Sequence, residues 1–294
     1  MTQYLKKPEW IRTRIPVGAN VQKITSSTKH SGLATVCEEA RCPNQWECWK
    51  NGTATFMLMG DTCTRHCRFC SVKTLKNPPS LNSNEPNDLA ETIRSLKLKY
   101  AVLTTVDRDD LPDFGAMHIA GCVNEIKRIN KNILIELLIP DFQGDLEALQ
   151  KIATSHSEVI GHNLECTKSI TPKVRDPRAS YEQSLMVLRR IAEFNPNIIT
   201  KSSLMLGLGE TDDELIEAME DIKQTGVSIL TLGQYLQPSK NSLPVQRYVH
   251  PSRFEWFKEQ GLKMGFEYVA SGPLVRSSYL AAEHYLQLKL SRNN

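Results

Sequence analysis

The feature that most constrains the fold is a regular alternation of short apolar runs with segments of helical periodicity, which begins near residue 53. Strands that alternate with helices form βα units, so the chain is predicted to build a parallel sheet with right-handed crossovers. A barrel and a doubly wound sheet both fit this alternation. The predicted strands cover residues 54–60, 100–106, 133–139, 158–164, 198–206 and 228–232, and the predicted helices lie near 88–97, 116–130, 145–154, 181–194 and 211–225.

Three of these helices are preceded by residues that cap helix N-termini. Asp145, Ser180 and Thr211 each stand before apolar residues at helical spacing. A side-chain oxygen at this position accepts a hydrogen bond from a backbone N–H of the first turn. We therefore expect a helix to begin directly after each of these residues.

Two segments lie outside the alternation. Residues 1–52 contain prolines and glycines with little periodicity, which predicts a loop-rich N-terminal extension. Toward the other end, a helical pattern over 251–264 and a short predicted strand over 266–270 follow a polar turn. We predict three regions: an N-terminal extension over 1–52, the α/β repeat over 53–245, and a short C-terminal extension over 246–294.

Composition excludes several classes of protein. Hydrophobic residues make up 40% and charged residues 23%, as in ordinary globular domains. No stretch approaches the roughly 20 apolar residues of a membrane helix, and residues 1–8 lack the apolar core of a signal peptide. We therefore expect a cytoplasmic protein without a membrane segment. The net charge of +3, with both signs interspersed, is too mild to predict nucleic-acid binding.

Six of the eight cysteines fall between positions 37 and 70, whereas Cys122 and Cys166 stand alone. In an exported protein this density would predict disulfides, but in a reducing compartment it indicates metal binding or redox chemistry. The expected cytoplasmic location favours a metal. Cys122 and Cys166 are predicted to be ordinary buried thiols.

The sharpest motif is Cys63-Thr-Arg-His-Cys67-Arg-Phe-Cys70, directly after the first predicted strand. Three thiolates in one tight loop can bind three irons of a cubane cluster and leave the fourth iron open to a substrate or cofactor. The alternative is a zinc knuckle that borrows His66 or a distant residue as its fourth ligand.

A second trio, Cys37-x₄-Cys42-x₅-Cys48, indicates a second site with soft ligands. The alternative is three buried cysteines in a loop, because free cysteines pack well. Three ligands again leave one corner of a cubane cluster to be filled, and no further cysteine has cluster-like spacing.

The C-x₃-C-x-φ-C motif after the first strand resembles the hallmark of the radical S-adenosylmethionine (SAM) superfamily. This resemblance implies a partial parallel (β/α)6 barrel, with a [4Fe–4S] cluster on Cys63, Cys67 and Cys70. It further implies that the open iron binds the amino and carboxylate groups of SAM. One electron from the cluster then cleaves SAM to methionine and a 5′-deoxyadenosyl radical, which abstracts an unactivated hydrogen.

Nearly the whole chain resembles the lipoyl synthase family within that superfamily. Both cysteine trios lie in segments that match the family's motifs, and so do segments spread along the rest of the chain. The further matching segments are Lys7-Pro-Glu-Trp10, Thr105-Val-Asp-Arg108-Asp109-Asp110, His162-Asn163-Leu-Glu165, Gly207-Leu-Gly209-Glu210 and Gly272-Pro-Leu-Val-Arg276-Ser277-Ser278-Tyr279.

The family resemblance implies a sulfurtransferase that inserts two sulfur atoms, at C6 and then C8, into an octanoyl chain on a lysine of a lipoyl carrier domain. A glycine-cleavage H-type protein is an equivalent carrier. An auxiliary [4Fe–4S] cluster on Cys37, Cys42 and Cys48 is the implied sulfur donor and is consumed. By position, Ser278 supplies the fourth ligand of that cluster, with Ser277 as the second choice. A ferredoxin or flavodoxin-type reductant and a cluster-repair protein are implied partners.

Polar residues that follow the strands are candidates to hold SAM, since such loops line the mouth of a barrel. For each acid or amide the alternative is a capping or ion-pair role. Gly207-x-Gly209 lacks the third glycine of a dinucleotide fingerprint, so it is interpreted as a backbone platform for adenine. The candidates are Thr105, Asp107 and Arg108 after the second strand, Asn163 and Glu165 after the fourth, and Gly207, Gly209 and Glu210 after the fifth.

The chain departs from the family pattern at two places. Cys166 stands where a threonine is usual, and Asp176-Pro177 replaces Pro-Gly, which leaves the local loop shape undetermined.

Two other functions stay open. Another two-cluster enzyme, similar to biotin synthase or a methylthiotransferase, is the nearer alternative. A metal or redox sensor is the more distant one, and metal counting separates it from the enzymes.

Overall fold

The computed structural model describes residues 5–11, 33–35, 44 and 55–278. Ten strands and seven α-helices lie within them. The strands are β1 (Ala34–Thr35), β2 (Thr55–Leu58), β3 (Thr62–Cys63), β4 (Lys73–Thr74), β5 (Tyr100–Thr105), β6 (Leu134–Leu138), β7 (Val159–Gly161), β8 (Ile199–Leu206), β9 (Ile229–Gln234) and β10 (Tyr268–Gly272). The helices are α1 (Glu85–Ser95), α2 (Ala116–Ile129), α3 (Leu146–Ala153), α4 (Thr171–Val174), α5 (Tyr181–Phe194), α6 (Asp212–Gln224) and α7 (Pro251–Lys263), with 3-10 turns at Glu9–Ile11 and Phe142–Gly144.

Eight strands form the main sheet in the order β1-β2-β5-β6-β7-β8-β9-β10. From β2 to β10 every pair is parallel, while β1 runs antiparallel to β2 at one edge. A doubly wound sheet reverses its strand order at a switch point, and this sheet does not. The α/β class and the partial barrel are therefore confirmed, and the alternative of a doubly wound sheet is excluded.

The six predicted strands correspond to β2 and β5–β9. The short strand predicted over residues 266–270 is β10, and it pairs with β9 along the same sheet. Part of the predicted C-terminal extension therefore adds a seventh parallel strand to the barrel. The three predicted regions themselves remain a prediction.

The predicted helix starts are confirmed at three positions. Asp145, Ser180 and Thr211 each accept a hydrogen bond from the third residue of the helix that follows. At Thr211 the bond is reciprocal, because the Glu214 carboxylate accepts from the Thr211 backbone N–H. Local capping chemistry therefore sets where α3, α5 and α6 begin.

Side chains fill the barrel interior at the amino ends of the strands and leave space at the carboxyl ends. A small apolar cluster lies at the amino end, and above it the buried Lys201 pairs with Glu136 at 2.7 Å. Tyr100 donates a hydrogen bond to the same carboxylate at 2.5 Å. Thr104 and Leu138, at the carboxyl ends of β5 and β6, line a cavity. Space for a ligand therefore lies at the carboxyl end of the strands.

None of the helices in the described part of the chain is both long and apolar enough to cross a bilayer. Cys122 and Cys166 are fully buried, as predicted for ordinary thiols. Cys122 lies beside Glu85 and His118, which already contact each other at 2.5 Å, and Glu85 also accepts from the Met59 backbone N–H. These polar groups therefore satisfy one another between α1, α2 and the end of β2.

Candidate active site

The loop that carries Cys63, Cys67 and Cys70 begins just after β2. Met59 and Gly60 turn the chain with positive φ angles of 68° and 85°. β3 and β4 then pair in parallel across the loop. The backbone N–H of Thr64 donates to the carbonyl of Asp107 at 2.9 Å, which ties the loop to the end of β5. The cysteine loop therefore lies at the carboxyl end of the sheet, where barrel enzymes place their active sites.

All three cysteines line one cavity of about 280 Å³, and their sulfur atoms have backbone partners. Each of them accepts at least one hydrogen bond from a backbone N–H, and such bonds favour the charged thiolate that binds iron. The donors are Arg65 and Asp107 to Cys63 at 3.4 Å each, Asp176 to Cys67 at 3.4 Å, and Val72 to Cys70 at 3.5 Å.

Burial sets the protonation of these thiols. It raises the pKa of Cys63 and Cys67 to about 12, and it also raises the pKa of Cys70. The Asp107 carboxylate, 3.7 Å from the Cys63 sulfur, acts in the same direction on the pKa of Cys63. The metal-free chain therefore holds neutral thiols at neutral pH, and a bound metal must displace their protons.

The spread of the sulfurs separates a cluster from a single ion. Ligand atoms around one ion lie close together, but Cys63, Cys67 and Cys70 do not form a group within 4.8 Å; among the described residues only Glu85, His118 and Cys122 do. Thiolates that each bind a different iron of a cubane cluster lie farther apart. The donor set therefore fits an iron–sulfur cluster better than the alternative zinc knuckle with His66.

Arg65, inside the cysteine motif, ties the cysteine loop to carboxylates that follow β5 and β6. It is 4% exposed, and its guanidinium contacts Asp109 and Asp141 at 2.7 Å and Asp107 at 3.3 Å. Burial alone would lower the pKa of Arg65, but these carboxylates raise it, so the side chain stays charged. Burial opposes ionisation of Asp109 as well, yet the hydrogen bonds from Arg65 hold its pKa at about 2. The cysteine loop is thereby locked to the ends of β5 and β6.

Asp176, where the chain departs from the family pattern, has a defined role. Its carboxylate accepts from the backbone N–H of His66 at 2.8 Å and pairs with Arg178 at 2.8 Å. Arg178 in turn donates to the carbonyl of Thr64 at 2.8 Å. This departure therefore supplies a second clamp on the cysteine loop.

Of the candidates after β5, two line the cavity and one does not. Thr105 and Asp107 are at the cavity wall. Burial raises the pKa of Asp107 to about 6, against the opposing charge of Arg65. Arg108 is buried, pairs with Asp110 through two hydrogen bonds of 2.8 Å, and does not line the cavity.

Asn163 and Glu165, after β7, line the first cavity and a second one of about 420 Å³. The Asn163 amide donates to the Glu165 carboxylate at 3.0 Å. Glu165 has a positive φ of 72°, and burial raises its pKa. Phe69 and Cys70 of the cysteine loop also line both cavities, so the two spaces adjoin.

Gly207, Gly209 and Glu210 are not among the residues that line these two cavities. The Glu210 carboxylate instead accepts from the backbone N–H groups of Gly207 and Leu208 at 2.7 and 2.8 Å. A Cβ on Gly207 would lie 2.4 Å from the carbonyl oxygen of Arg247. These residues therefore shape the turn after β8, and their predicted role at adenine stays a prediction.

Residues 272–278, which we call the strap, cross the barrel mouth after β10. A Cβ on Gly233 would lie 2.2 Å from the carbonyl oxygen of Val275, so only glycine permits this approach. Arg276 donates to the carbonyl of Gln234 at 3.3 Å. Ser277 lines both cavities and Ser278 lines the second. The strap thus brings Ser277 to the cavity of the three cysteines and Ser278 to the adjoining cavity.

Cys37, Cys42 and Cys48 lie outside the described residues. Within their motif, Asn44 is described, and its side-chain amide donates to the carbonyl of Leu274 in the strap at 2.5 Å. This contact joins positions 230 residues apart. The motif of the second trio therefore meets the strap at one point.

Two residues at the cavity, Arg175 and His162, were not predicted from the sequence. The Nε atom of Arg175 is buried and finds no hydrogen-bond partner among the described residues, although the side chain lines the cavity and also donates to Ser184 at 2.6 Å. Burial, with Arg175 nearby, lowers the pKa of His162 to about 4. The arginine was visible in the sequence, but nothing local indicated that it reaches the cavity. An unpaired guanidinium nitrogen fits an anionic group such as a carboxylate.

Two known families match segments of the chain. Residues 57–222 match the radical SAM superfamily, and residues 1–42 match the N-terminal domain of lipoyl synthase of the radical SAM family. The mitochondrial lipoyl synthase of Drosophila mojavensis is 56% identical over 97% of this chain and 80% of its own length. That of Drosophila melanogaster is 55% identical over 97% and 77%.

Solved structures share the fold at low sequence identity. Methylornithine synthase (PylB) aligns with a TM-score of 0.52 and 12% identity, over 78% of this chain and 62% of its own. The FeFe-hydrogenase maturase HydG from Carboxydothermus hydrogenoformans aligns with a TM-score of 0.54 and 14% identity, over 85% and 64%. The chain thus spans less than two thirds of either structure, and these matches support the barrel alone.

Proposed function

Because this chain belongs to the lipoyl synthase family of the radical SAM superfamily, we propose that it inserts two sulfur atoms, at C6 and C8, into an octanoyl chain on a lysine of a lipoyl carrier protein. It is a radical SAM enzyme, and the superfamily implies one [4Fe–4S] cluster and SAM. The observation that carries the proposal is the convergence of Cys63, Cys67, Cys70 and Ser277 on one cavity. The loop that would hold the first cluster and the strap that carries the serines thus border the same cavity.

In this proposal Cys63, Cys67 and Cys70 hold the first cluster. When bound, the cluster and SAM supply a 5′-deoxyadenosyl radical that abstracts hydrogen from the octanoyl chain. The protein orients both and keeps water away. Arg65 prevents the loop from shifting, since it is tied to two different βα loops through Asp109 and Asp141.

We assign the polar ends of SAM to residues that line the cavities. The unpaired Nε of Arg175 is suited to the carboxylate of SAM. The side-chain oxygens of Asn163 and Glu165 can accept hydrogen bonds from its amino group and ribose hydroxyls, and Phe69 offers an apolar face. Thr105 and Asp107 line only the first of the two cavities.

The sulfur source is proposed to be an auxiliary [4Fe–4S] cluster on Cys37, Cys42, Cys48 and Ser278. The contact between Asn44 and Leu274 supports this ligand set, because it links the cysteine motif to the strap that carries the serine. An oxygen ligand on iron that otherwise has thiolate ligands makes a labile corner. Such a corner suits a cluster that gives up its sulfur.

The remaining parts of the proposal concern partners, location and regions. A ferredoxin or flavodoxin-type reductant supplies electrons, and a cluster-repair protein restores the auxiliary cluster. A cytoplasmic location stays a prediction, with the mitochondrion as the alternative because the relatives are named as mitochondrial; cell fractionation distinguishes them. We propose that residues 1–52 carry the auxiliary ligands, that 53–245 form the barrel together with β10, and that the rest of 246–294 closes the site.

Mass spectrometry of an octanoylated carrier tests the reaction. After anaerobic incubation with the reconstituted enzyme, SAM and a reductant, the carrier should gain two sulfur atoms. Metal analysis of the same preparation should give about eight irons per chain and no zinc. An unmodified carrier beside full formation of 5′-deoxyadenosine would contradict the proposed substrate.

Ligand variants test the two clusters separately. Cys67→Ala should abolish SAM cleavage, whereas Cys42→Ala should spare 5′-deoxyadenosine formation and abolish sulfur transfer. Ser278→Cys should retain the auxiliary irons but slow sulfur insertion, because thiolate holds that corner more firmly. If Ser278→Ala gave a normal product yield and kept an intact auxiliary cluster, Ser278 would not be its fourth ligand, and Ser277 would become the candidate.

A further inference from the structure

Three segments of the chain contain basic residues and no acidic ones, although the protein as a whole is nearly balanced. Residues 62–84 contain arginines and lysines but no Asp or Glu, and the same holds for residues 166–175 and 222–254. Over the whole chain, 36 basic residues stand against 33 acidic ones. The acidic residues are therefore absent from three particular stretches.

The fold brings these three segments together beside the cysteine loop. The backbone N–H of Arg68 donates to the carbonyl of Val174 at 2.9 Å, and its guanidinium donates to the carbonyl of Lys173 at 3.1 Å. From the other side, the N–H of Leu243 donates to the carbonyl of Arg68 at 2.9 Å. Segments far apart in sequence thus form one surface around Arg68, next to Cys67.

Several cations on this surface are exposed and make no ion pair with any described residue. Arg68, Lys173 and Lys240 are exposed, and none makes an ion pair within the described part of the chain. Lys7, which lines the second cavity, is exposed too. We call these four residues the basic rim. Lys258, a partly exposed lysine on α7, by contrast pairs with Glu255.

We propose that the basic rim is the docking surface for the acidic face of a folded carrier domain. This inference rests on the proposed function, in which the substrate chain is attached to a folded protein. That protein must bind at the barrel mouth for the chain to enter the site. Its charge argues for an anionic partner, and its position beside the cavities of Cys67 and Cys70 sets where that partner binds. Complementary charges at a rim raise the association rate and fix orientation.

The test reverses the charge of two rim lysines that touch neither cavity. Lys173→Glu with Lys240→Glu is compared with Lys99→Glu and Lys131→Glu, which make the same change in charge at the amino ends of β5 and β6. All four lysines are exposed. A milder pair, Lys173→Gln with Lys240→Gln, guards against a folding defect caused by the acidic substitutions.

Two readouts are measured at low and high salt: the Kd for an octanoylated lipoyl carrier domain, and KM for that domain and for a short octanoyl-lysine peptide. At low salt, Lys173→Glu with Lys240→Glu should weaken carrier binding and raise the KM for the carrier by about tenfold or more. High salt should reduce this difference between the variant and wild type, because salt screens exposed charges. The KM for the peptide should stay unchanged in every variant. The carrier Kd and KM of the Gln pair should lie between those of wild type and the Glu pair, and those of the control pair should equal the wild-type values.

Equal effects of the rim and control pairs, or an equal change in the peptide KM, would overturn the docking surface while leaving the sulfur insertion intact. Tighter binding of a duplex oligonucleotide with the same rim dependence would also overturn it. Rim-dependent carrier binding without any sulfur gain would support the surface and refute the proposed reaction instead. The two proposals can therefore fail independently.

Discussion

Replacing Gly233 with alanine tests whether the strap positions the serines. The new Cβ would lie 2.2 Å from the carbonyl oxygen of Val275, where an ordinary contact begins at 3.4 Å. The backbone fixes the position of the Cβ, and the carbonyl is part of the backbone, so neither group can rotate away. The strap must therefore withdraw by about 1 Å, or the fold must bear an overpacking strain of about 1–3 kcal/mol.

A shift of this size would carry Ser277 and Ser278 away from the cavities. Misplacement of reacting groups by about 1 Å can cost about 100-fold in rate. We expect Gly233→Ala to lower the dithiolated product by about that factor, and 5′-deoxyadenosine formation to fall far less. The backbone N–H of Val275, which donates to Gly272 at 3.1 Å, should exchange faster with deuterium.

Gly272→Ala is the matched control, because its Cβ would lie 3.4 Å from a Val275 side-chain carbon, which can adjust. Product yield by mass spectrometry and hydrogen exchange of residues 272–278 are compared in both variants. Full product yield from Gly233→Ala with unchanged exchange would refute the reasoning. An equal loss in Gly272→Ala would show that any added methyl group disturbs the strap.

Three further predictions concern buried ionisable side chains. Lys201→Met should destabilise the fold by about 3–5 kcal/mol because it leaves the Glu136 carboxylate buried and unpaired, and adding Glu136→Leu should recover most of that loss in denaturant unfolding. Arg175→Met should raise the KM for SAM by about tenfold or more if Arg175 binds the SAM carboxylate; an unchanged KM would remove that assignment. His162 has a pKa of about 4 in the folded protein against 6.5 in the unfolded chain. Its contribution to the free energy of unfolding is therefore present above pH 6.5 and is lost as the pH falls toward 4. Relative to His162→Gln, the wild-type protein should lose about 2 kcal/mol of unfolding free energy between pH 7 and pH 5; parallel stability curves would contradict the buried neutral imidazole.

Local features of the fold could be predicted because they depend on neighbours in the sequence. Apolar periodicity and the caps at Asp145, Ser180 and Thr211 predicted the strands and the helix starts, since each involves only a few consecutive residues. The loop of Cys63, Cys67 and Cys70 was predictable for the same reason. Periodicity left the choice between a barrel and a doubly wound sheet open, because strand order is a property of the whole sheet, and the family resemblance alone predicted the barrel.

The rest of the site depends on contacts between distant segments. Arg175 resembled any other arginine until the fold brought it to the cavity, and Arg65 acquired its role only beside Asp141. Arg108 pairs with its neighbour Asp110 and does not line the cavity, a choice made by side-chain burial rather than by motif. The sequence by itself determined the strands, helices and cysteine spacing, whereas the tertiary structure decided which polar groups meet at the mouth. The physical reason is that βα units are set by short-range patterns, while closure of the sheet decides which loop ends become neighbours.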